Sequence, residues 1–319
     1  MALGPAAHAA PRRREAGSSG IGIQLLEGPA SKKDDPRASR YIVDHLHPGT
    51  SIRRKIQVWN NSGERNRIDV YSGSATLAQE AFVFGEGSAG NELTSWFSFD
   101  KDRLDLAPGD KAVVEVTIAV PPTASIGERY GLVWASVVPP SKAAKGVTLA
   151  TRVGVRVYLD IGKGGEPPSD FDITGLTPAR SLEGVPSLTA TVTNTGGRAL
   201  DISGWVDLHD GPASQRAGPF QVTNGPTLAV GATGHVIVQF PKELPNGPWK
   251  VSLSLRSGLV VHAVTGEIRF PNAGDVGKPG TFLNNSGVIA GGASTVAFIV
   301  LLLLILLARR HRRTSRAAR

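Results

Sequence analysis

Between residues 20 and 270 the chain alternates apolar and polar positions with a period of two, and Gly/Pro/Asn clusters break the alternation. No stretch there carries an amphipathic helical period. Residues 51–60 (SIRRKIQVWN) put Ile52, Ile56 and Val58 on one face and Arg53, Lys55, Gln57 and Trp59 on the other. Residues 111–120 alternate Val114, Val116, Ile118 and Val120 against Val113, Glu115, Thr117 and Ala119, between an Ala107-Pro108-Gly109-Asp110 turn and a Pro121-Pro122 stop. Residues 128–138 (ERYGLVWASVV) are apolar on both faces, as a central strand requires. Residues 147–161 place Val147, Leu149, Val153, Val155, Val157, Leu159 and Ile161 together and predict one long closing strand.

A Gly/Pro-rich segment, Lys163 to Ser169, reads as a linker, after which the strand pattern resumes at 187–194, 199–207, 234–240, 249–255 and 259–270. Two local features repeat. Thr193-Asn194-Thr195-Gly196-Gly197 resembles Asn60-Asn61-Ser62-Gly63, and the turn Pro241 to Gly247 before Trp249 echoes Pro121 to Gly127 before Tyr130. Short strands at regular spacing without helices predict antiparallel sandwiches, here two related ones in tandem. Tyr130, at a strand start after a Gly-containing turn, is placed either as a tyrosine corner or as an ordinary core tyrosine.

From Val288 to Ala308 the pattern changes to an uncharged apolar run that spans roughly 31 Å as a helix, enough for a hydrocarbon core. Arg309, Arg310, Arg312 and Arg313 follow it, which sets the tail on the cytoplasmic side and the bulk of the chain outside. Ala7-His8-Ala9 reads as the remnant of a signal-peptide cleavage site. The expected organisation is therefore a lead over 1–19, a first domain over 20–162, a linker over 163–169, a second domain over 170–270, a stalk over 271–287, a span over 288–308 and a basic tail over 309–319. The expected fold class is all-β: two tandem immunoglobulin-like β-sandwiches followed by one C-terminal transmembrane α-helix. The expected location is the cell membrane, single-pass. Gly287-x-x-x-Gly291 and Ala290-x-x-x-Ser294 are small-residue pairs that would let two such helices pack closely.

Charge changes the picture once. The formal +8 suggests nucleic acid, but six of those charges lie in the last eleven residues, and without them about +2 remains. No nucleic-acid partner is expected. The absence of cysteine means the domains rest on hydrophobic cores alone, common on Gram-positive surfaces, and the Arg, Ala and Gly usage suggests a GC-rich genome.

Candidate chemistry is sparse. Asp44-His45-x-His47 and Asp207-Leu208-His209-Asp210 each lie beside a Gly/Pro turn without a third ligand, so no metal site is expected. No nucleophile elbow, phosphate-cradling loop or paired carboxylates stand out, so no catalytic residue, no cofactor and no enzyme is expected. The stripe Arg53, Lys55 and Trp59 combines two cations with a ring that could stack on an anionic glycan, or it is simply the wet face of a sandwich.

Gly20 to Leu26, Asp35-Pro36-Arg37-Ala38-Ser39-Arg40-Tyr41-Ile42-Val43-Asp44, Pro48-Gly49-Thr50, Asn91 to Trp96 and Pro121 to Tyr130 together resemble the N-terminal domain of the WxL-interacting protein family. The resemblance covers roughly residues 20–162, in an actinobacterial-like version. It implies a surface protein with two immunoglobulin-like domains, the first associated with peptidoglycan and the second with partner or host proteins. The expected function is thus binding of peptidoglycan or a wall glycan. The alternative is a docking subunit that binds a neighbouring surface protein, through the second domain, without any glycan.

Overall fold

The computed structural model describes residues 20–86, 89–137, 151–223 and 225–285. The first sandwich is built from β1 (Ile21–Leu25), β2 (Ile42–Leu46), β3 (Ser51–Asn60), β4 (Asn66–Ala78), β5 (Ala81–Phe84), β6 (Phe97–Phe99), β7 (Arg103–Leu106), β8 (Lys111–Ala119), β9 (Gly127–Val137) and β10 (Thr151–Ile161). One sheet runs β1-β3-β8-β6; the other runs β2-β10-β9-β4-β5, with β7 also on β4. The first two strands divide between the sheets, β1 antiparallel to β3 and β2 parallel to β10.

The period-two pattern explains the layers. Ile56, Val58, Val114, Val116 and Ile118 turn inward and are fully buried, while Arg53 and Lys55 turn outward. In β9, Val133 and Ala135 enter the intersheet core, whereas Leu132 and Trp134 lie on the opposite, outer face. Tyr158 of β10 also faces outward yet has no exposure. A second apolar layer covers that face, and it includes Ala38 from the loop before β2 and Ala199 from the second sandwich. Trp134 lies flat against the sheet because Gly73 and Gly154 flank it. A Cβ would stand 2.3 Å from its ring at Gly73 and 2.7 Å at Gly154.

The second sandwich comprises β11 (Phe171–Arg180), β12 (Pro186–Asn194), β13 (Leu200–Asp201), β14 (Ser203–His209), β15 (Ala217–Gln221), β16 (Thr227–Leu228), β17 (Thr233–Gln239), β18 (Trp249–Ser257), β19 (Val260–Ile268) and β20 (Thr281–Asn285). Its sheets are β11-β12-β17 and β15-β14-β18-β19-β20, with β13 and β16 as a separate pair. Phe171, Trp249, Leu253 and Phe270 anchor its core.

The repeated Asn turn has a structural basis. Asn60 ends β3 and Asn194 ends β12, both almost wholly buried. Asn60 Nδ2 donates to the carbonyls of Glu64 (2.7 Å) and Leu106 (3.0 Å), and Asn194 Nδ2 to those of Arg198 (2.8 Å) and Ala229 (3.0 Å). In both, the side-chain oxygen accepts a backbone N–H two residues on, and the backbone bonds the turn before β8 or β17. Removing either amide strands buried carbonyls. Asn194→Ala is expected to cost about 1–3 kcal/mol, read from a lowered urea midpoint.

Two expectations change. Residues 271–287 do not form a free stalk throughout. Gly277 and Gly280 donate to Pro178 O and Leu176 O, each at 2.8 Å, and β20 adds to β19, so 271–285 belongs to the second sandwich. The Gly/Pro composition that suggested a stalk instead permits this close backbone approach. Second, no helix among the described residues is long and apolar enough to cross a membrane, and the only helical elements there are 3-10 turns. The expected span 288–308 and the tail arginines Arg309, Arg310, Arg312 and Arg313 lie outside the described residues. That expectation rested on hydropathy alone, whereas every longer regular element described is a strand. The fold class is corrected to all-β, and the single-pass membrane placement is withdrawn.

Candidate functional site: a cationic cleft between the sandwiches

Arg53, Lys55 and Trp59 share the outer face of β3, and each is engaged there by a local neighbour. Arg53 pairs with Glu115 at 3.6 Å and Lys55 with Glu27 at 2.9 Å on the outer face of the β1-β3-β8-β6 sheet. Trp59 lies across Gly22 of the neighbouring strand, where a Cβ would meet its ring at 2.1 Å. Asp44 is taken up by the inward-facing Arg54 (Nε to Oδ2, 3.1 Å), and His45 Nδ1 lies 2.6 Å from Asp160. Among the described residues no cluster of three or more potential metal ligands occurs.

The denser polar chemistry lies where the two sandwiches meet. Asp201, at the end of β13, holds four side chains at once. Its Oδ2 accepts from Arg37 Nε at 2.7 Å, and its Oδ1 accepts from Tyr158 OH (2.8 Å), Thr227 Oγ1 (2.9 Å) and Arg156 Nη1 (3.2 Å). Three of these donors come from the first sandwich, so one carboxylate ties the domains together. Arg37 lies over the Tyr158 ring at 4.1 Å, and Arg156 over Phe82 at 4.8 Å. Burial disfavours the charge on Arg37, but Asp201, Tyr158 and Glu128 together outweigh it and hold the guanidinium above its ordinary pKa. Arg156 is likewise raised, with burial opposing and Tyr158 and Asp201 favouring its charge.

A second tie is the β4–β5 hairpin. Gln79 and Glu80 both have positive φ (49° and 61°), the geometry of a two-residue turn whose twist matches its strands. Its tip reaches the second sandwich: Glu80 O accepts from Thr227 N at 2.8 Å, and its carboxylate meets His235 N (2.7 Å) and Nδ1 (2.9 Å). A third tie is Glu128, whose Oε2 accepts from Ala199 N (2.7 Å) and Tyr130 OH (2.8 Å). Tyr130 is therefore not a tyrosine corner, because its hydroxyl bonds a carboxylate at the domain junction.

These ties leave an open cleft of about 350 Å³ between the domains. Its walls carry Arg37, Arg40, Arg156 and Arg256, with Asp201 as the only acidic side chain, and Tyr41, Ser203 and Thr227 add hydroxyls. Arg37, which this cleft shares with a second cavity, has a buried Nη2 without a hydrogen-bond partner. Four cations, of which Arg37, Arg156 and Arg256 are held by hydrogen bonds, around one engaged carboxylate make a pocket for a negatively charged group. Sequence reasoning missed it because its residues come from a loop, β10, β13, β16 and β18. The available signal was Arg156 interrupting an apolar strand, together with Arg37, Arg40 and Tyr41 inside the Asp35–Asp44 motif.

Lys32 marks the same junction. Its ammonium meets Glu166 and Val43 O, and burial, then repulsion from Arg198, lowers its pKa to about 8. An unfolded chain binds this proton up to about 10.5, so the unfolded state holds more protons between those values. Stability is expected to rise with pH from about 8 and then to be opposed above 10. Tyr130 and Tyr158 are both raised, mainly by burial, so folding hinders their ionisation. Lys32→Met should flatten the rise in a series of urea titrations across that range.

No family model matches the chain, and no curated protein matches it. Among solved structures it is similar to the class 5 fimbriae chaperone CfaA (12% identity, TM-score 0.32, covering 83% of this chain and 100% of that one). It is also similar to the Pseudomonas aeruginosa CupB2 chaperone (12%, 0.37, 72% and 97%). A third is the Salmonella enterica SafA pilin in complex with the SafB chaperone (12%, 0.38, 75% and 90%). Each is described as a chaperone, one of them with a pilin bound. The expected peptidoglycan-binding protein of a Gram-positive or actinobacterial surface has no counterpart among them, and that expectation is withdrawn.

Proposed function

We propose that this protein is a non-enzymatic docking subunit that seats an acidic segment of a neighbouring surface protein in the cleft between its sandwiches. The observation that carries the reading is the set of four arginines, Arg37, Arg40, Arg156 and Arg256, against one already engaged carboxylate. Guanidinium forks bind carboxylates in a planar, two-bond geometry and stay charged at any physiological pH. Arg37 and Arg156 are pinned by Asp201 and by aromatic rings, so little side-chain entropy is lost when a ligand arrives. Low-dielectric walls on both sides concentrate the field and speed the encounter with an acidic partner. Nothing in the cleft is poised for proton transfer: the arginines hold their protons, and Asp201 already accepts from four donors.

A photo-crosslinking amino acid at position 40 tests this in the native cell. The expected adduct is one discrete protein, attached through an Asp/Glu-rich segment identified by mass spectrometry. The same probe at position 53, on the far face of the first sandwich, should give none. Equal adducts from both positions, or attachment through neutral or basic segments, would sink the reading.

A further inference from the structure

A second cavity, of about 310 Å³, lies on the other side of Arg37 from the cleft. The first sandwich contributes Lys32, Asp35 and Arg37, the segment joining the domains contributes Glu166 and Ser169, and the second sandwich contributes Arg198 and Ser257. Arg198 and Arg37 are among the most buried charged side chains in the protein, with 3% and 6% side-chain exposure. Each nevertheless has an Nη2 without any hydrogen-bond partner, and Arg198 Nε reaches only Glu128 Oε1, at 3.5 Å. Buried guanidinium donors are seldom left unmade, because their lost hydration is not recovered.

Most acceptors of the acidic groups nearby are already committed. Glu128 Oε2 receives Ala199 N and Tyr130 OH, Asp35 Oδ1 receives Arg37 N, and Glu166 receives Lys32 and Arg198, whereas Glu128 Oε1 stays 3.5 Å from Arg198 Nε without a hydrogen bond. Asp201 is engaged on the cleft side of Arg37. Three cations and two carboxylates therefore line one cavity, while Nη2 of Arg37 and both Nε and Nη2 of Arg198 remain without hydrogen-bond partners. Burial and the neighbouring Arg37 hold the pKa of Arg198 down despite Glu128, and Lys32 is lowered by burial and by Arg198, so each cation destabilises the next. A group that brings its own negative charge and several acceptor oxygens relieves both the repulsion and the unmade bonds; the Ser169 and Ser257 hydroxyls add donors to it.

We infer that this cavity holds a small inorganic oxyanion, of the phosphate or sulfate class, bound at once by Lys32 and Arg37 of the first sandwich and by Arg198 of the second. Such an ion mortars the domain junction from the side opposite the cleft. It binds the assembled junction and not the unfolded chain, so it raises stability in proportion to its occupancy.

Thermal unfolding of the full chain, with sodium phosphate or sodium sulfate titrated against sodium chloride at matched ionic strength, tests the inference. The wild-type midpoint should rise in a saturable way, by about 2 °C or more. The R40Q/R256Q variant, altered only in the cleft, should keep the rise, and Arg198→Gln should lose it. Should Arg198→Gln not fold, Lys32→Gln is the second variant, and calorimetric titration of phosphate into wild type should show one site. A midpoint indifferent to the oxyanion overturns the inference, as does a rise that survives in Arg198→Gln and Lys32→Gln. A rise lost in R40Q/R256Q alone would place the ion in the cleft, overturning this site while leaving the docking reading standing.

Discussion

Trp249→Ala is expected to lower the stability of the second sandwich by about 3–5 kcal/mol, the usual range for emptying a large aromatic site. Trp249 is 1% exposed and opens β18, directly after the turn that ends at Gly247 and Pro248. Its indole Nε1 donates to Pro245 O at 2.9 Å, four residues upstream. That is the bond a tyrosine corner makes at the start of the corresponding strand in immunoglobulin-like sandwiches, here made by an indole. Gly211 packs on the ring so closely that a Cβ would sit 2.2 Å from it. Trp249→Phe should cost less, because it keeps most of the apolar volume and loses chiefly the bond to Pro245. Urea titration followed by far-ultraviolet circular dichroism gives the comparison, and an unchanged midpoint for the Ala variant would contradict this account of the core.

Asp201→Ala is expected to loosen the domain junction at a cost of about 3 kcal/mol. Breaking one side of a buried ion pair leaves an uncompensated charge, and the value sits low in the usual range because the Asp201 side chain is 20% exposed. Arg37, almost fully buried, would lose its only carboxylate partner, and Tyr158 and Thr227 would lose their acceptor. Asp201→Asn keeps the shape and one acceptor oxygen and should recover part of the loss. The chain has no cysteine, so a pair introduced one in each sandwich can carry spin labels without interference. The interdomain distance distribution should broaden in the Ala variant; an unaltered distribution with unaltered stability would show that Asp201 does not tie the domains.

Much of the sandwich architecture was legible in the period-two pattern. β3, β8, β9, β12, β17, β18 and β19 fall within a few residues of the strands the sequence predicts, because one face of each is buried and register follows hydrophobicity. The doubly apolar character of β9 was also legible, but its cause was not: the outer face is covered by Phe82, Phe84 and Ala38 of the first sandwich and by Ala199 of the second, contacts between residues far apart in sequence. β4, long and mixed in polarity, gave no clean alternation; its hydrogen-bonded edge partner changes along its length, from β7 to β5. The paired Asn turns announced the tandem repeat, since a buried Asn bonding two strand ends leaves a local trace in each domain. The cleft left none of that kind. Arg37, Arg40, Arg156 and Arg256 span more than two hundred residues of sequence, and each alone looks like an ordinary surface cation. Only the fold makes them one site.

The most direct test of the central claim is the affinity of the full chain for a fluorescent Asp/Glu-rich peptide, measured by anisotropy across salt concentrations, for wild type and R40E/R256E. The account expects wild-type binding that weakens as salt rises, little binding of a Lys-rich or uncharged peptide, and at least about a tenfold loss in the charge-reversed variant, equivalent to 1.4 kcal/mol. Equal affinity in wild type and R40E/R256E, or equal binding of the uncharged peptide, would contradict it.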